Sequence, residues 1–154
     1  MVMHEEPSPT DRSLRYDIVG GTGVVAECRD LARTALDTWF GAAGEPGREH
    51  TEDVLLLVSE VVTNACTHGG VPYELRMDRR GGAVWVQVSD TSPVRPRPHG
   101  PHRANRSSGH GLYLLQRLST RWGSVPRGSR GKTVWFEVEV LPRTLPQAAP
   151  PGRS

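Results

Sequence analysis

One segment limits the possible folds of this chain more than any other: "VLLLVSEVVTNACTHGG", residues 54–70. Val54, Leu55, Val58, Val61, Val62 and Ala65 recur at helical spacing and define an apolar face. At 3.6 residues per turn, Glu60, Asn64 and His68 stack along a different line of the same helix, with Thr63 and Thr67 beside them. A helix running over about 50–68 and stopping at Gly69-Gly70 must therefore lay one side on a core and offer the other to water or a ligand. A solvated face is the ordinary account of such a stripe. Long charged side chains would serve that purpose better than Thr, Asn and His, because they favour the helix more.

The rest of the chain supplies that helix with partners. "LRYDIVGG" alternates as a strand, and Thr22 is placed to cap a helix over 24–40. "GAAGEPGREH" is expected as a loop. "VPYELRMD" and "AVWVQVSD" form a hairpin around "RRGG". Residues 91–108, rich in Pro, Arg and His without apolar period, are a long loop of the kind that serves as a lid. "GHGLYLLQRLST" resumes as a helix, and "RWGSVP" and "KTVWFEVEV" close the domain as strands. The order predicts an α+β, two-layer sandwich over 13–141, a mixed β-sheet with helices on one face. Residues 1–12 and 142–154 are expected as loose tails.

Composition narrows the function. At 154 residues and a formal charge of +2, one soluble domain is the economical reading, and the small charge gives no argument for nucleic acid. The basic residues are local and interleaved with Pro rather than stacking aromatics, so direct nucleic-acid binding is not expected. No apolar run reaches the roughly 20 residues that span a bilayer, so no membrane is expected and the cytoplasm is the expected compartment. Cys28 and Cys66 adjoin apolar helix positions and belong to no metal-spaced cluster, which predicts two small buried thiols.

Three places carry candidate chemistry. The Asn64 amide oxygen is a neutral hard ligand suited to Mg²⁺, and Glu60, one turn earlier, is placed to accept a proton from an attacking hydroxyl or water. His68 near a helix C-terminus is either part of this site or a favourable partial cation. Asp90 ends a strand, where it is either a turn-starting carboxylate or an acceptor for the amino group of adenine. In "SSGHGL", Gly109 and Gly111 flank His110 where loop becomes helix, a place where backbone can approach phosphate.

These motifs together resemble the GHKL-type, or Bergerat-fold, ATP-binding domains. "SEVVTNACTHGG" is similar to their N box, with Glu60 and Asn64 on its E-x-x-x-N core and Ala65 and His68 on its continuation. Asp90 with Pro93 resembles the first glycine box, although Ser92 stands where that box has its first glycine and the second is missing. Gly109, His110, Gly111 and Leu112 resemble the second box. The resemblance implies that Thr133 helps Asp90 hold adenine and that Arg106 approaches the γ-phosphate. The subgroup it resembles is the stand-alone RsbW/SpoIIAB-like anti-sigma-factor serine kinases, in their actinobacterial form. That implies ATP and Mg²⁺, kinase activity toward a STAS-type anti-anti-sigma protein, a sigma factor as second partner, and possible homodimers. The alternative is a non-catalytic ATP-sensing module that sequesters a protein partner.

Overall fold

The structure, a computed structural model, describes residues 12–41, 45–67, 70–93 and 110–141, with only the backbone of residues 45–46 and 110–112. Five strands form one sheet in the order β1-β2-β3-β5-β4: β1 (Ser13–Asp17), β2 (Pro72–Arg80), β3 (Ala83–Asp90), β4 (Arg121–Pro126) and β5 (Lys132–Glu139). Among the described residues three α-helices complete it, α1 (Val24–Phe40), α2 (Glu45–Thr67) and α3 (His110–Leu118).

The expected α+β two-layer arrangement is found, with one correction. Every strand pair in the sheet is antiparallel, so the sheet is not mixed. The chain leaves β3 through α3, lays β4 on the outer edge, and returns as β5 between them. β3 and β4 thus run the same way without ever sharing a hydrogen bond.

Side-chain period explains which face is covered. Val84, Val86 and Val88 of β3 are buried opposite Val138, Phe136 and Val134 of β5, and Leu75 and Met77 of β2 join them. This row meets Val54, Leu57, Val58, Val61 and Val62 of α2 and Cys28, Ala32, Ala35 and Leu36 of α1 in one core. On the other face Trp85 and Trp135 stack, with centroids 4.4 Å apart and planes 8° from parallel. Gly123 of β4 leaves room for that pair, since a Cβ there would lie 2.8 Å from the Trp135 ring.

Local departures have local causes. α2 begins at Glu45, inside the expected loop; Pro46 falls in the first turn, where its missing N–H removes no helical bond. Gly23, not Thr22, holds the N-cap position of α1, and no side chain caps it. The hairpin turn is only Gly81-Gly82, with Arg79 and Arg80 still paired, because Gly81 takes the positive φ of 62° that a two-residue turn demands.

Candidate functional site

Glu60 and Asn64 are both half-buried, at the margin of the apolar arc of α2. Thr63 and Thr67 lie further round and are exposed, and the Thr67 hydroxyl donates back to the carbonyls of Thr63 and Asn64 at 3.1 and 3.3 Å. Neither the Glu60 carboxylate nor the Asn64 amide makes a side-chain hydrogen bond among the described residues. Half-buried polar groups left in that state retain their full capacity for an outside ligand.

Asp90 sits at the far end of the inward row of β3, two residues beyond Val88, and is 2% exposed. The same period-two logic brings Lys132 inward at the start of β5, directly across from it in register. Lys132 Nζ donates to Asp90 Oδ1 at 3.0 Å, and the Ser92 backbone N–H donates to the same oxygen at 2.7 Å. Two buried charges therefore close the end of an otherwise apolar row.

The backbone is packed tightly around this pair. A Cβ on Gly70 would lie 2.8 Å from Ser92 Cβ and 3.1 Å from Asp90 Oδ1. Gly131, at φ +88°, is closer still: a Cβ there would lie 2.0 Å from the Asp90 carbonyl oxygen. Val71 and Thr91 hold the turn from the side, the Val71 N–H donating to Thr91 Oγ1 at 2.9 Å and the Thr91 N–H to the Val71 carbonyl at 3.1 Å. The chain after α2 is thereby tied to the end of β3.

Thr133 is not brought to Asp90. One residue on from Lys132, it faces away from the helices, where its hydroxyl pairs with Ser89 Oγ at 2.7 Å and accepts from Arg127 Nε at 3.0 Å. The parity of β5 gives the place beside Asp90 to Lys132. Sequence reasoning passed over that lysine, although Phe136 and Val134 at alternate positions already marked its face. It also passed over Gly131, and read Gly70 only as a helix stop and Ser92 only as a departure from the glycine box, because their contacts at Asp90 join distant segments.

His68, Arg106 and Gly109, with most of the expected lid, lie outside the described residues. His110, Gly111 and Leu112 form the first turn of α3, where helical N–H groups point outward. The helix is seated by Leu115, which is buried, with Leu114 and Leu118 partly so.

Of the two cysteines expected to be buried, one is and one is not. Cys28 is buried, and burial, helped by Glu27, pushes its thiol up to about 12. Cys66 is exposed, because it falls just past the apolar arc on the side opposite Asn64; partial burial still raises its thiol.

Residues 24–138 match the family described as Histidine kinase-like ATPase domain, and the chain belongs to that family. It is an ATP-binding domain of the kinase-like ATPase class. Among solved structures it is similar to the histidine kinase domain of the Erythrobacter litoralis EL346 blue-light activated histidine kinase, at 29% identity and a TM-score of 0.44 over 60% of this chain and 45% of that one. A second structure of that kinase gives the same identity and TM-score over 60% of this chain and 31% of the other. The chain thus spans less than half the length of either. A comparison with curated proteins finds no match. Among the described residues no helix is long and apolar enough to cross a membrane.

Proposed function

We propose that the chain is an ATP-dependent serine kinase that also acts as an anti-sigma factor. The observation that carries the reading is a pair of half-buried polar side chains on α2, Glu60 and Asn64, without side-chain hydrogen bonds among the described residues, in a chain that also buries the carboxylate of Asp90 at the end of the inward row of β3. Asp90 accepts a hydrogen bond from the 6-amino group of adenine through Oδ2, since both of its bonds among the described residues end on Oδ1. In this reading the first-turn N–H groups of α3 hold the phosphates, and Arg106, which lies outside the described residues, keeps the γ-phosphate role that the resemblance implies. The amide oxygen of Asn64 fits a hard cation, and Mg²⁺ bound there supplies charge neutralisation of the phosphates.

In the transfer, a serine hydroxyl of the partner forms a bond to the γ-phosphorus while the bond from that phosphorus to the bridging oxygen of ADP breaks. Glu60 takes the serine proton, and the leaving electrons remain on ADP. The acceptor is a serine of a STAS-type anti-anti-sigma protein, and its phosphorylation frees the kinase to hold a sigma factor. The test is incubation with γ-labelled ATP, Mg²⁺ and a STAS-domain protein. Transfer of label to a serine, abolished by Glu60→Gln, supports the reading; ATP binding without any transfer contradicts it.

One observation favours a second reading. Lys132 and Ser92 already engage the adenine-reading carboxylate, an arrangement suited to a module whose surface responds to nucleotide without catalysis. That reading predicts ATP binding that alters partner affinity while Glu60→Gln has no effect.

A further inference from the structure

The pair at the end of the inward rows retains bonding capacity on both members. Among the described residues the Asp90 carboxylate accepts from Ser92 N–H and Lys132 on Oδ1 alone, which leaves Oδ2 as an acceptor. The Lys132 ammonium carries three donors. One goes to Asp90 at 3.0 Å and one reaches the Ser92 carbonyl at 3.5 Å, which leaves the third. Both side chains are almost fully enclosed, at 9% exposure for Lys132 and 3% for Asp90. Polar groups on nearly enclosed side chains normally have their bonds made, so Asp90 Oδ2 and the remaining Lys132 donor, on two side chains joined by the 3.0 Å bond to Oδ1, mark a place where a ligand completes them.

We infer that Lys132 is a base-specificity residue, reading the acceptor ring nitrogen beside the 6-amino group of adenine while Asp90 reads the amino group. The inference rests on the proposed adenine site at Asp90. Adenine offers a donor with an acceptor on either side, ring nitrogens 1 and 7, which complements an acceptor next to a donor. Guanine offers an oxygen where adenine has the amino group, and that oxygen would face the Asp90 carboxylate. Two unpaired buried groups would result, and such mismatches give strong discrimination. Gly70 brings backbone close to Asp90 Oδ1 and Gly131 to the Asp90 main chain, which confines the carboxylate side of the pair.

The test is equilibrium binding of ATP, 1-deaza-ATP, 7-deaza-ATP and purine riboside triphosphate to the full chain with Mg²⁺, and to Lys132→Met. In the native protein one of the two deaza analogues is expected to bind at least about tenfold more weakly than ATP, as for loss of one charge-assisted hydrogen bond. In Lys132→Met that difference should disappear. The proposal for Lys132 is overturned, with Asp90 intact, if both deaza analogues bind the native protein like ATP while the analogue lacking the amino group does not. It is also overturned if Lys132→Met discriminates as the native protein does. Should Lys132→Met fail to fold, the analogue series on the native chain decides. Failure of ATP itself to bind removes the adenine site and this inference together.

Discussion

Lys132 Nζ and Asp90 Oδ1 stand 3.0 Å apart at the ends of two hydrogen-bonded strands, on the face where β3 and β5 otherwise carry only apolar side chains. Removing one partner leaves the other charge buried alone. Asp90→Ala is expected to lower stability by about 3–5 kcal/mol. Asp90→Ala combined with Lys132→Met should recover much of that, because it removes both charges. Urea denaturation of the three variants and the native chain measures the difference; equal losses in the single and double variants would contradict a coupled pair.

Gly131 and Gly128 both have positive φ but differ in their surroundings. A Cβ at Gly128 meets nothing within 4 Å, whereas at Gly131 it meets the Asp90 carbonyl at 2.0 Å. Gly128→Ala should cost about 1–2 kcal/mol, the backbone term alone. Gly131→Ala should cost more than about 3 kcal/mol, because main chain must move as well. Thermal melts of the two variants test the contrast, and similar losses would refute it.

The thiols should separate in reactivity. Cys28 is buried with its thiol pushed up to about 12, whereas Cys66 is exposed. Ellman's reagent at pH 8 is expected to titrate one thiol per chain in the native state and two in guanidinium. Cys66→Ser should abolish the native signal. Fast titration of both thiols in the folded protein would contradict the burial of Cys28.

Asp53 offers a pH signature away from the site. Burial raises its carboxyl, Glu49 adds to the rise, and His50 opposes it. A folded value above the unfolded one means that the native state binds this proton more tightly. The stability from this group is therefore full below the unfolded carboxylate value and lost as pH rises through the raised folded value. Asp53→Asn should melt relatively higher than the native chain at pH 7 than at pH 3. An unchanged difference across that range would contradict the sign.

Much of this was legible in the chain because period carries it. The apolar rows of α1 and α2 predict the helix faces, and the alternation in "AVWVQVSD" and "KTVWFEVE" predicts the inward faces of β3 and β5. The placement of Glu60 and Asn64 on one line follows from helical spacing alone. What escaped was set by contacts between remote segments. Lys132 meets Asp90 because β5 inserts beside β3, and "GKT" carries no signal of its partner. Gly70 and Gly131 are constrained by the turn at Asp90 rather than by their own neighbours. Thr133 followed from family likeness, which does not fix strand parity here. Cys66 was assigned to the core from its neighbours, although it lies just beyond the apolar arc.

The measurement that bears most directly on the account is calorimetric titration of ATP, with and without Mg²⁺, into the native chain and Asp90→Asn. Saturable binding that depends on Mg²⁺ and weakens at least about tenfold in the variant is the predicted result. Absence of binding at millimolar ATP, or equal affinity in the two proteins, would contradict an adenine site at Asp90.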